Sequence, residues 1–232
     1  MDHSLKSVLT SKLAIALAAL AVFSLALLGA RIAFTGRVKY VFMAWNLFLA
    51  FVPWAIATAL DATKRANRAV VFLVVLAWLA FFPNSPYVLT DLLHLGYDNA
   101  APGWYDLILL LSFGFSGTLF GFASLKTIES LLAEAFKIKF ARLASFPLIY
   151  VSCFGIYLGR FLRWNSWDLV TNLEHVARDV YERISDPIEH ASAWVFTFLF
   201  GTLLSLLYLG FKSFGDPLAS RGAGNGNPQQ EP

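Results

Sequence analysis

Apolar positions in this chain come in long unbroken runs, unlike the two-residue alternation of a strand or the one-sided stripe of a soluble helix. The runs cover Leu13–Ala30, Tyr40–Leu60, Ala69–Phe82, Tyr105–Leu125, Leu143–Gly159 and Ala191–Phe211. A bilayer core takes about 20 helical residues to cross, so most of these runs predict membrane spans, while the third is short. The first run follows Lys6 and Lys12 as a secretory leader would, but it is longer than a leader's apolar core and ends at Arg31 without a convincing cleavage site. It therefore predicts the first span, with residues 1–12 before it. Trp45 and Trp54 lie near the two ends of the second run, Pro53 predicts a kink in it, and Asn46 is its one strongly polar interior residue.

The third run stops abruptly at Pro83-Asn84-Ser85-Pro86. Pro83 lacks an amide proton and Pro86 biases Ser85 away from the α region, so the sequence predicts a bend. Ser85 as N-cap and Pro86 as first helical residue then predict a short second helix to about Gly96. Winding that helix at roughly 100° per residue gathers Tyr87, Thr90, Asp91, His94, Tyr97 and Asp98 on one wet face, opposite Val88, Leu89, Leu92, Leu93 and Leu95. In the fourth run Gly114, Gly117 and Gly121 predict a seam of close helix packing. Lys126–Arg142 reads as a basic amphipathic connection. After the fifth run, Arg160-Phe161-Leu162-Arg163-Trp164-Asn165-Ser166-Trp167-Asp168 is the second polar interruption. Ser166 predicts the cap of an amphipathic helix over Trp167–Ile184, with Glu174–Arg178 and Asp179–Arg183 spaced as ion pairs. Asp186-Pro187-Ile188-Glu189 has the form of a capping box before the sixth span. Residues 213–232, rich in Gly, Pro, Asn and Gln, predict a disordered tail.

Composition agrees with a membrane bundle. The 232 residues are 58% hydrophobic and 14% charged, against about 25% charged in soluble domains. The expected fold class is all-α, a polytopic bundle of about six spans with short interfacial helices. A net charge of +3 with no basic cluster excludes nucleic acid as an expected partner. The single cysteine, Cys153, cannot form an intrachain disulfide. With six spans, one side collects 11 of the 18 Lys and Arg residues, which predicts that both termini are cytoplasmic. The two polar interruptions then emerge on the same non-cytoplasmic face, which also carries 9 of the 15 acidic residues.

The candidate chemistry sits in those two interruptions. Asp91 and His94 are candidate catalytic residues, with Asp91 orienting His94 for acid–base work. Asp98 extends that face at i+7, and a divalent metal would need Asp168, Glu174 or His175 from the later helix. No motif supports that, and neither a metal nor a cofactor is expected. Arg160 and Arg163, at i and i+3, suit a phosphate, a carboxylate such as Asp91, or plain interfacial anchoring. With Asn84, Tyr87, Asp98 and Asn165 they form the candidate ligand-binding set. The bland alternative for the whole region is an interfacial helix whose polar face meets water and headgroups.

The stretches Trp78–Leu95 and Gly155–Trp167 resemble the bacterial membrane-protein family called domain of unknown function 1361, from the second span to the sixth. That resemblance implies a multi-pass membrane protein of bacterial type, expected in the inner membrane, and supplies no reaction, substrate or cofactor. The expected partner is the lipid bilayer, with an anionic lipid or phosphorylated ligand as a further candidate. Three readings follow: an outward-facing polar site for a phosphorylated or lipid-linked ligand, a transporter or transporter subunit built on the broken helix, and a structural or assembly protein without catalysis.

Overall fold

A computed structural model describes residues 3–63, 67–96, 100–137 and 141–215, and these described residues contain helices and no strand. The elements are α1 (His3–Thr35), α2 (Phe42–Ala62), α3 (Arg68–Phe81), α4 (Asn84–Tyr87), a 3-10 segment (Val88–His94), α5 (Gly103–Phe136), α6 (Ala141–Phe161), α7 (Asp168–Thr171), α8 (Leu173–Ser185) and α9 (Ala191–Gly215). Six helical stretches are long and apolar enough to cross a membrane, and the third runs from Arg68 to His94 through the proline break. The protein is thus an all-α, multi-pass membrane bundle. The tail from residue 216 onward and the pair Lys64 and Arg65 lie outside the described residues.

The central helix is α5. Its most apolar stretch is 72% buried by the rest of the bundle, against 17–33% for the other five spans. One core packs α1, α2 and the 3-10 segment on α5 around Tyr40, Met43, Leu109 and Phe113. A second packs α3, α6 and α9 on its far half around Trp78, Phe82, Leu125 and Cys153. Gly114, Gly117 and Gly121 are the seam that the spacing predicts, and they receive the broken segment. A Cβ on Gly117 would meet the Ser85 carbonyl oxygen at 2.5 Å, and one on Gly121 would meet Ser85 Cβ at 2.8 Å. Buried ion pairs tie the bundle at both ends. Arg31 Nε donates to Asp106 at 2.7 Å between α1 and α5, and Lys212 Nζ donates to Glu129 at 2.9 Å between α9 and α5.

Several boundaries differ from those the sequence predicts. The fourth span does not stop at Leu125; α5 continues through Lys126 to Phe136, and Lys137 ends it in a left-handed conformation at φ 54°. Ser85 does not cap. Phe82 and Pro83 stay in the right-handed helical region, helix resumes at Asn84, and Ser85 Oγ donates instead to the Ala50 carbonyl of α2 at 2.8 Å. Burial against α2 and α5 thus outweighs the local capping preference. Ser166 does not cap either, and the helix expected from Trp167 is split at Asn172 into α7 and α8. Asp168 folds that turn by accepting the backbone N–H of Asn165 at 2.8 Å and the side-chain amide of Asn172 at 2.8 Å. Half of the capping box forms, with Glu189 N–H on Asp186 Oδ1 at 3.0 Å, while the regular helix waits until Ala191.

Candidate functional site

The two polar interruptions meet at one end of the bundle, beside the 36–41 connection and the start of α5. The geometry begins with the backbone of the broken segment. From Val88 to His94 it is a 3-10 helix, in which residues three apart eclipse instead of drifting by 60° as they would in an α-helix. Asp91 and His94 are stacked in that way, and Thr90 lies above Tyr87, whose carbonyl accepts the Thr90 hydroxyl at 2.6 Å. Asp91 is turned into the bundle, with a side-chain exposure of 1%, while His94 is 42% exposed.

Arg160, in the last turn of α6, reaches across to this segment. Its Nη2 donates to Asp91 Oδ1 at 2.5 Å and to Thr90 Oγ1 at 2.6 Å, and its Nε donates to Thr90 Oγ1 at 2.8 Å. Its Nη1 stands 3.3 Å from His94 Nε2, an arrangement that suits a ring nitrogen acting as acceptor. The guanidinium carbon lies 4.2 Å from the Tyr87 ring centroid. The second carboxylate oxygen of Asp91 accepts Asn46 Nδ2 of α2 at 2.8 Å. Of the alternatives open for Arg160, the internal carboxylate pair is the one formed. His94 Nε2 is 4.0 Å from Asp91 Oδ1, beyond hydrogen-bond distance, and Arg160 contacts both members of the expected acid–base pair.

A cavity of about 450 Å³ lies beside this cluster. It exists because α3 packs chiefly on α2 and α5 while α6 packs chiefly on α9 and α5, which leaves a wedge between α3 and α6. Its upper lining is polar and aromatic: Asn46, Asn84, Tyr87, Trp164, Asn165 and Ser166. Its lower lining is Leu49, Leu76, Leu79, Val151 and Phe154. Val151 lies ten residues before the end of α6, so the wedge descends about 15 Å, the depth of one leaflet. Trp45, Leu76 and Val151 line it and are also exposed on the apolar outer surface, so the wedge opens sideways.

The roof is the loop after α6. Arg163 there adopts φ 65°, and the chain turns back so that Trp164 N–H donates to the Leu158 carbonyl. Gly159 allows this return, since a Cβ there would meet the Trp164 carbonyl at 3.3 Å and the Tyr87 ring at 3.5 Å. Asn84 Nδ2 fastens the roof by donating to Ser166 Oγ at 2.8 Å, and Trp164 Nε1 donates to Asp179 of α8 at 2.6 Å.

The residues that sequence reasoning selects therefore separate into groups. Asn84, Tyr87 and Asn165 line the cavity. Asp91, His94 and Arg160 form the adjoining cluster and are not part of the lining. Arg163 is exposed and pairs with no described residue, and Asp98 lies outside the described residues. Among the described residues no three His, Cys, Asp or Glu side chains converge as metal ligands, so Asp168, Glu174 and His175 do not join Asp91 and His94. Ser166, expected only as a cap, Trp45, expected only near the end of a span, and Trp164 of the second polar interruption are part of the lining. The buried pair Arg31–Asp106 was also missed, although an aspartate one residue inside a predicted span is a signal that could have found it.

A family described as Protein of unknown function (DUF1361) matches residues 45–207. The chain belongs to this family. The match includes every residue lining the cavity and all of the Asn46–Asp91–Arg160 cluster, whereas α1 with Arg31 falls outside it. No curated protein and no solved structure matches the chain. Membership and fold together make this an integral membrane protein of a family with no assigned activity.

Proposed function

We propose that the protein binds an amphipathic, lipid-linked ligand in the wedge between α3 and α6, head towards the roof and chain along the apolar wall. The observation that carries this reading is the division of one cavity into a polar end and an apolar end that opens onto the lipid-facing surface. A volume of about 450 Å³ is within the usual range for small-molecule sites, about 300–1,000 Å³. Binding is favoured over acid–base catalysis because Asp91 and Arg160 are committed to each other and neither lines the wedge. In this reading the Asp91–Arg160 cluster is a latch that holds the broken segment against α6. On the same reading the roof faces the non-cytoplasmic side of a bacterial inner membrane and both termini are cytoplasmic, an orientation that the Lys and Arg bias supports.

The test is photolabelling of the full chain in phosphatidylcholine nanodiscs, using an uncharged diacylglycerol analogue with a diazirine near the head of its chain. Labelled peptides are expected to contain Leu76–Ala80 and Val151–Phe154, with label lost in Ala80→Trp and kept in Val195→Trp, a surface substitution on α9. Label spread evenly over all lipid-facing helices would overturn the reading.

A further inference from the structure

We infer that the head group taken by this cavity is an uncharged polyhydroxyl group, a glycosyl head on an apolar chain, and not a phosphate; the inference rests on the binding reading above. The argument comes from which hydrogen-bonding atoms the lining leaves open. Asn46 Nδ2 donates to a carboxylate, Asn84 Nδ2 donates to the Phe81 carbonyl and to Ser166 Oγ, and Asn165 Nδ2 donates to the Asp168 carboxylate. Because a carboxylate or a carbonyl only accepts, each amide must present its nitrogen to the protein. Its carbonyl oxygen is then left over. No described residue donates to any of these three oxygens, and those of Asn46 and Asn84 are not sealed inside the protein.

Three side chains that line one end of a cavity, each with an acceptor oxygen left open, call for a ligand that donates. A phosphate offers oxyanion acceptors, and no lysine or arginine lines the wedge to receive them. Of the two nearby guanidiniums, Arg160 is already held by Asp91 and Thr90, and Arg163 is exposed on the roof loop outside the lining. A cationic head would donate, but no carboxylate lines the wedge, and burying a charge without a partner is costly. The lining also holds two hydroxyls, on Tyr87 and Ser166, that can donate as well as accept. The complementary group is therefore one that both gives and takes hydrogen bonds without carrying charge, as sugar hydroxyls do. Trp45, Trp164 and Trp167 around the same end supply broad apolar faces with a polar edge, suited to the C–H face of a sugar ring.

The experiment uses the full chain extracted directly into polymer-bounded nanodiscs, so that no alkyl glycoside detergent occupies the site, and a diazirine-bearing dodecyl glucoside as probe. Competitors are dodecyl glucoside, dodecyl phosphate and dodecyltrimethylammonium, equal in chain length. The expected result is labelling near the α3–α6 wedge that dodecyl glucoside displaces and the two charged competitors displace at least tenfold less well. Asn165→Leu, on the exposed loop, should weaken glucoside competition about fivefold, the effect of one hydrogen bond. Equal competition by dodecyl phosphate or by dodecyltrimethylammonium would overturn the glycosyl assignment and leave the amphiphile reading standing. So would absence of glucoside labelling where the diacylglycerol analogue labels the wedge. Glucoside labelling that persists in Ala80→Trp would put the label elsewhere and remove support from both.

Discussion

Asp91 shows how a single side chain can be charged, nearly inaccessible and still stabilising. Each of its oxygens has a partner from a different helix, Arg160 of α6 and Asn46 of α2, so one carboxylate holds three separate segments together. Removing one partner of a buried ion pair leaves the other desolvated and uncompensated. Asp91→Asn is accordingly expected to cost about 3 kcal/mol in reversible unfolding from mixed micelles. Arg160→Gln in the same chain should recover part of that loss, and additive effects of the two substitutions would show that the pair is not coupled. Asp168, outside the spans, is held differently. The Asn165 backbone N–H, helped by the side-chain amides of Asn172 and Asn165, holds its carboxyl below the usual carboxylate range. A depressed folded value means that stability from this group is present above the ordinary aspartate range and is lost as pH falls through the folded value. Asp168→Asn should therefore flatten the acid limb of the stability profile while changing little of its shape above pH about 6.

At the scale of elements, the broken third span is positioned by α5. The glycine seam lets Ser85, Val88 and Leu89 approach the α5 backbone, and this contact keeps the chain helical through two prolines. Gly117→Ala should destabilise by about 1–3 kcal/mol, because its Cβ would strike a backbone carbonyl that cannot rotate away. Gly29→Ala, in α1 with nothing within 4 Å, should be neutral or stabilising by up to about 1 kcal/mol. Thermal unfolding of both variants in one detergent checks the contrast. Equal effects would mean that helix propensity alone governs both sites.

For the whole molecule, the arrangement puts Val38 and Asn165 at one end of the bundle and Thr63 and Ser213 at the other. All four are exposed, and the native Cys153 is buried. In a Cys153→Ala background, Val38→Cys and Asn165→Cys should react together with a membrane-impermeant maleimide on intact cells. Thr63→Cys and Ser213→Cys should react only after permeabilisation. Labelling of 63 and 213 from outside would invert the orientation, and a split between 38 and 165 would be incompatible with the fold itself.

The number of spans, their approximate places and the two polar interruptions were all legible in the chain, because an apolar run long enough to cross a bilayer has few alternatives to a helix. The glycine seam was legible too, as a spacing of small residues on one helix face. Capping was not. Ser85 and Ser166 look like caps locally, but each meets a partner far along the chain, Ala50 and Asn84, that no local rule contains. The fate of Arg160 was open for the same reason, since a guanidinium at a helix end suits a ligand, a lipid or a neighbouring carboxylate equally well. Only the reach of Arg160 from the end of α6 to the 3-10 segment settled it on Asp91, and only the splaying of α3 from α6 made a cavity at all. Hydrophobic periodicity determines which residues leave water, one segment at a time; which of the remaining polar atoms find each other is decided by distances between segments that the bundle alone sets.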